Sequence, residues 1–206
     1  VNHSLPEGQT PDRDSPQAGR AESRSDTELI QQTLAGDESA FRRIVERYSA
    51  QVAATAVGML GAGPEAEDVG QETFIRLYRS LNRIRGESRL GTYLTRIAIN
   101  LCLDSARRLQ RRRNWFRIDD GDEMLPEDLT VEDGSRIESS ERKEWVARAV
   151  CTLHPKHRAV VVLRMISGYS TRETAALLGI PVSTVLSRLS RAEEKLRQSL
   201  RPLIED

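Results

Sequence analysis

Ser183, Thr184, Ser187 and Arg191 recur at helical spacing near the end of the chain and bring three hydroxyls and a guanidinium to one face. Hydroxyls bond phosphates or base edges, and an Arg one turn beyond Ser187 can take the two acceptors of a guanine edge in a major groove. The opposite face carries Val182, Val185, Leu189, Ala192 and Leu196, read as inward. Just upstream, Ser170 and Glu173 have the spacing of a capping box, Ala175 is small enough to let a second helix approach, and Gly179 supplies a turn. Pro181 then fixes the start of the second helix. Residues 168–197 thus predict a helix-turn-helix whose second helix lies in a DNA major groove, and two amphipathic helices of an ordinary bundle are the alternative.

Two further constellations lie in the first half. Asp68, Glu72, Ile75 and Arg79 share a helical face opposite Phe74, Tyr78 and Leu81, so an apolar residue stands among charges on a surface, as in a docking site. Tyr93, Arg96, Asn100 and Arg107 fall on one side of the next helix, away from Leu94, Ile97 and Leu101 and beside a loop from Arg85 to Arg89 that contains Ser88. An aromatic plane, a guanidinium and an amide suit single-stranded nucleic acid, whose bases stack on aromatic rings for about 1–3 kcal/mol each. His154 and His157 flank Pro155 and Lys156 at an interval that could suit a metal, but no third ligand is evident, and residues at a helix start near DNA are the better reading. Cys102 and Cys151 lack the spacing of a metal site and read as buried structural thiols in a reduced, cytoplasmic setting.

The elements that must position these residues are all helical. With 206 residues, 30% charged and 4% aromatic, the chain suits one or two small helical domains better than one large core. Its net charge of zero conceals segregation: Arg107, Arg108, Arg111, Arg112, Arg113 and Arg117 form a basic block, and residues 119–133 carry eight acids and no base. Neutrality therefore does not exclude nucleic acid. Residues 1–25 are too polar to repay the entropy of ordering and predict a disordered tail. Ser25 with Glu28 predicts the start of a short helix ending near Gly36, and Asp37 caps a longer one with Phe41, Ile44, Val45, Tyr48 and Val52 as its stripe. A third helix runs from about Glu65 to Ile84 with Phe74, Leu77, Tyr78 and Leu81 inward, and a fourth from Thr92 to about Arg113. Residues 114–136 read as an acidic connector containing Trp115 and Phe116, after which Trp145, Val146, Val150, Leu153, Ala159, Val162, Leu163 and Ile166 lead into the helix-turn-helix. No apolar run approaches the roughly 20 residues of a membrane span, and the first 25 residues lack the apolar core of a signal peptide.

Residues 65–81 and 91–100, with the arginines that follow, resemble regions 2.2 to 2.4 of extracytoplasmic-function (ECF) sigma factors, and residues 168–197 resemble their region 4.2. The resemblance implies an all-α, non-catalytic subunit of bacterial RNA polymerase in two domains, 26–113 and 137–206, joined by the linker 114–136, without a cofactor. It implies that Asp68, Gln71, Glu72, Ile75 and Arg79 hold the clamp helices of the largest polymerase subunit. Arg85, Ser88, Arg89, Tyr93, Arg96, Asn100 and Arg107 would meet the -10 element. Arg172, Ser183, Thr184, Ser187, Arg188 and Arg191 would meet the -35 element, and an anti-sigma factor would mask both domains. The chain departs from the family pattern at Leu90 and Tyr93, which stand where an aromatic residue and Trp are usual, and at Ser183, Leu186 and Glu193. Each cation missing from the recognition helix removes about 0.9 unit of salt slope. An autonomous dimeric regulator and a nucleic-acid enzyme are the rival classes. The latter would need clustered carboxylates, a metal site or a nucleophile with its base, and the sequence displays none.

Overall fold

The computed structural model describes residues 26–84, 89–117 and 139–201, and every regular element among them is helical. The expected tail, Ser25, Arg85, Ser88 and the linker beyond residue 117 lie outside the described residues. Helix α1 (26–34) buries Leu29 and Ile30, and its buried Asp26 accepts from Arg47 Nη1 at 2.7 Å and from the Tyr48 hydroxyl at 2.5 Å. Helix α2 (Glu38–Leu60) starts where Asp37 Oδ1 accepts the Ser39 backbone N–H at 2.9 Å, the capping bond its sequence predicts. Helix α3 (Pro64–Ser80) has proline in its first turn and passes through a single 3-10 turn, Leu81–Arg83. Helix α4 spans Leu90–Arg117.

The region read as the start of the connector, 114–117, is therefore helical. No Gly or Pro interrupts the chain between Arg107 and Asp120, so nothing local ends the helix at Arg113. Trp115 and Phe116 belong to this last turn. Ile44, Val52, Leu77, Leu81, Leu94 and Ala98 interlock with α1 to form the core of this first unit.

Helices α5 (Ser139–Thr152), α6 (Pro155–Val161), α7 (Thr171–Leu178) and α8 (Val182–Leu200) form the second unit, with a π turn at Val162–Ile166 after α6. Val150, Leu153 and Val161 pack on Ala192 and Leu189, while Val160 meets Ala175 and Val185. Four residues expected inside are at the surface. Tyr78 lies outside with its ring edge-on to Phe41 at 5.0 Å, and Val146 and Ile166 lie at the rims of their helices. Val182, in the first turn of α8, precedes the point where that helix meets its neighbours at Val185. Periodicity fixes a side of a helix, but burial there also requires a facing element that covers the whole side chain, and none of these four is covered in full.

The two units are packed together. Ala56, Met59, Ala66, Val69, Ile99, Leu101 and Cys102 of the first share one buried cluster with Ala159, Val162, Leu163 and Leu177 of the second.

Candidate nucleic-acid and protein interfaces

In the helix-turn-helix, Glu173 N–H donates to Ser170 Oγ at 3.2 Å and Ser170 N–H donates back to Glu173 Oε2 at 2.8 Å, completing the capping box. Hydrogen bonding from the Ser170 hydroxyl first, and then from the Ser170 backbone N–H, holds the Glu173 carboxyl below its ordinary range. Gly179 ends α7 in the left-handed region at φ 62°, where a side chain would be strained. The Ile180 N–H closes this turn on Ala175 O at 3.1 Å. The small, buried Ala175 lets α8 approach, as its sequence predicts.

Helix α8 presents Ser183, Ser187 and Arg191 to solvent, with Thr184 and Arg188 half-buried beside them. Leu186 is also outward, 53% exposed, so an apolar side chain stands in this face. Ser187 Oγ donates to Thr184 O at 3.1 Å, which leaves its lone pairs free to accept. Arg172 projects from α7. Among the described residues, Arg172, Arg188 and Arg191 form no ion pair, whereas Arg197 is held by Glu194 at 2.7 Å. Cations without a carboxylate are ready to neutralise phosphate.

On α3, Asp68, Gln71 and Arg79 are exposed around Ile75, itself 44% exposed. Glu72 accepts from Arg76 Nε at 2.8 Å. Such an exposed i,i+4 pair contributes only about 0.3–0.5 kcal/mol, so an incoming partner can displace it. Arg76, absent from the sequence-based set, belongs to this surface.

The residues expected on one side of α4 are divided. Tyr93 is half-buried against the first core and its hydroxyl donates to Ser80 Oγ at 3.1 Å. Asn100 and Arg89 are exposed, and Arg89 O accepts the Thr92 and Tyr93 N–H groups at the start of the helix. Arg107 pairs with Asp104 at 2.9 Å. Arg96 reaches across to the second unit, where its Nη2 donates to Ala176 O on α7 at 3.2 Å. The helix-turn-helix thus lies against the α4 face that carries the single-strand candidates.

Sequence reasoning missed the residues that hold this contact. Gln51 Nε2 donates to Gly91 O at 3.2 Å, Thr95 Oγ1 at 2.9 Å and the Tyr169 oxygen at 3.2 Å, while Thr95 and Tyr169 hydroxyls meet at 3.0 Å. Arg158 gives Nη1 to Met59 O at 2.5 Å and Nη2 to Leu153 O at 3.0 Å and to Cys151 O. Burial lowers its pKa from the usual arginine value. The one visible sign was an arginine opening the apolar run Ala159–Leu163.

His154 starts α6, its Nδ1 accepting the Lys156 N–H at 3.3 Å, and its ring lies 5.7 Å from that of His157. Among the described residues, no group of three or more His, Cys, Asp or Glu is placed to hold a metal. Cys102 is fully buried, and burial pushes its thiol up to about 12, which makes it a packing residue rather than a nucleophile. No helix among the described residues is long and apolar enough to cross a membrane.

Known proteins match both units. Residues 44–112 match the family model for sigma-70 region 2, and residues 143–196 match that for sigma-70 region 4. The ECF RNA polymerase sigma factor SigW of Bacillus subtilis is 33% identical over 189 residues, covering 84% of this chain and 96% of SigW. The ECF RNA polymerase sigma-E factor of Escherichia coli K12 is 33% identical over 194 residues, covering 89% of this chain and 98% of that protein. The solved structure of CnrH in complex with the cytosolic domain of CnrY superposes with a TM-score of 0.60 at 26% identity, covering 86% of this chain and 98% of CnrH.

Proposed function

The chain belongs to the ECF sigma factors of bacterial RNA polymerase, and from that membership we propose how its own faces divide the work of initiation. A sigma factor is a non-catalytic transcription factor: it binds core polymerase, recognises the promoter and promotes its melting. Here the α8 face of Ser183, Thr184, Ser187, Arg188 and Arg191 reads the -35 duplex, and Arg172 braces the DNA backbone. Arg191 supplies a base contact, and the capping box and the turn at Gly179 fix its position. The carrying observation is this helix-turn-helix with three arginines free of any ion pair among the described residues.

Core polymerase docks on α3 through Asp68, Gln71, Glu72, Ile75 and Arg79, with Ile75 as the apolar centre. The clamp helices of the largest subunit are the partner surface. Tyr93, Arg96, Asn100, Arg107 and the Arg85–Arg89 loop take the -10 strand once it separates. Arg96 must first leave Ala176 O, so engagement of both promoter elements requires the two units to part. CnrH was solved with the cytosolic domain of CnrY bound to it. An anti-sigma factor is the corresponding regulatory partner of this chain.

The test is transcription in vitro with core polymerase across genomic promoter fragments, comparing wild type with Glu72→Lys. Wild type directs initiation from a defined promoter class, and Glu72→Lys loses it in proportion to its loss of core binding. Specific transcription by Glu72→Lys with undiminished affinity for core would remove the α3 face from this scheme. Tight, site-specific DNA binding by the free chain as a dimer would favour an autonomous regulator.

A further inference from the structure

We propose that His154 and His157, together with Lys156, Arg188 and Lys195, form a second phosphate-binding patch that grips duplex DNA backbone beside the recognition helix. The inference rests on the reading of α8 as the helix that enters the duplex.

The geometry follows from how α6 and α8 pack. Val160 shares a buried cluster with Val185, whereas Leu153, just before α6, and Val161 share one with Ala192 and Leu196, so the start of α6 lies beside the second half of α8. His157 is one turn before Val161 and His154 one turn before that, on the same flank. Arg188 and Lys195 bracket Ala192 by four and three residues, and Arg191 adjoins it. Both rings therefore stand along the stripe of cations that continues the outward face of α8.

The surroundings of the rings are one-signed. The charges acting most on His154 are Lys156, Arg188, Arg158 and Lys195; on His157 they are the His154 ring, Arg188, Arg191 and Lys195. On α5, Glu144 pairs with Arg148 at 3.8 Å, and on α8 Glu194 pairs with Arg197 while Glu193 is exposed. Desolvation first and these cations second lower both histidine pKa values from 6.5, so the rings are neutral at pH 7. With Nδ1 of His154 accepting the Lys156 N–H, its ring proton sits on Nε2, the nitrogen available to a ligand.

A patch of cations held near two neutral imidazoles is matched by a polyanion. A phosphate beside them supplies the negative charge that their neighbours lack, raises both pKa values, and makes binding take up protons. Affinity then rises as pH falls through the pKa values of the bound state toward the lowered values of the free protein. A one-unit difference in pKa between free and bound states corresponds to tenfold in affinity. His157 is the readier acceptor, because protonating His154 on Nδ1 would break its cap.

The test uses the full chain and a fluorescein-labelled 20-bp duplex of mixed sequence, since phosphate contacts do not depend on promoter identity. The outward face of α8 is exposed in the packed arrangement, so the duplex can reach it. Anisotropy from pH 8 to 5.5 should give an affinity for wild type that rises about threefold to tenfold per histidine. Calorimetry in buffers of different ionisation enthalpy should show net proton uptake near pH 6.

His154→Asn, which keeps a capping side chain, combined with His157→Gln should flatten that pH profile. The same double variant should lower the salt slope at pH 5.5 by up to about 0.9 per histidine. Circular dichroism and the thermal midpoint establish that the double variant is folded. If it retains the wild-type pH profile and proton count while Arg188→Ala weakens binding at every pH, the histidine patch is refuted and the reading of α8 stands. If Arg188→Ala binds the duplex as wild type does, the reading of α8 fails, and this inference with it.

Discussion

Replacing Gly58 by alanine should separate the two units while strengthening the helix that carries the change. Gly58 lies within α2, and a Cβ there would sit 3.1 and 3.3 Å from the two γ-methyls of Val162 and 3.6 Å from Ile166 Cδ1, all in the second unit. Carbon atoms rest at about 3.5–4.0 Å, so Val162 must move by a few tenths of an ångström. It is fully buried and β-branched in a helical turn, with little rotamer freedom to do so. Overpacking of this kind costs about 1–3 kcal/mol, and the loss falls on the contact between units. Within α2, alanine gains about 0.8–1.0 kcal/mol over glycine whether or not the units touch. The ratio of packed to separated forms should therefore fall by roughly 5- to 150-fold, with no loss of stability in the first unit. Small-angle scattering should show an increased radius of gyration, and energy transfer between dyes on α3 and α8 should decrease. Val162→Ala in the Gly58→Ala background removes both crowding methyls and should restore compactness, with a coupling of about 0.5–3 kcal/mol. An unchanged scattering curve and dye distance, together with a raised thermal midpoint, would refute the argument by showing that Val162 yields at no cost.

Ser170→Ala removes one bond of the capping box and should cost about 1 kcal/mol, lowering the thermal midpoint, whereas Ser170→Asp should recover most of it. Tyr93→Ala and Asn100→Ala should leave recruitment to duplex promoter nearly intact but reduce the melted fraction. Permanganate reactivity at matched occupancy measures this, and wild-type melting by both variants would release that face of α4 from promoter opening. A premelted template should rescue Asn100→Ala more than Tyr93→Ala, because stacking is needed even on an open strand.

The sequence by itself determined the features whose causes lie within one or two helical turns. Asp37, the Ser170–Glu173 box and Gly179 act on neighbouring backbone groups, so residue type and spacing suffice to place them. The inward positions Ile44, Val52, Leu77, Leu94, Val185 and Ala192 follow from a 3.6-residue period, and the outward Ile75 and Arg191 follow from its complement. Family membership was legible for the same reason, because it rests on two short stretches in a fixed order.

Tertiary structure alone decided which faces meet. Tyr78, Val146, Ile166 and Val182 have the right period for burial but no element that covers them in full. Gln51 and Tyr169 are separated by 118 residues yet share a hydrogen bond, and Arg158 reaches Met59 O across 99. Arg96 looks like a free cation in the sequence and is occupied by α7 in the structure. The two histidines likewise gain their cationic surroundings only because α6 packs on α8. Local periodicity specifies the direction a side chain takes from its own helix axis, and only packing across long stretches of chain specifies what stands in that direction.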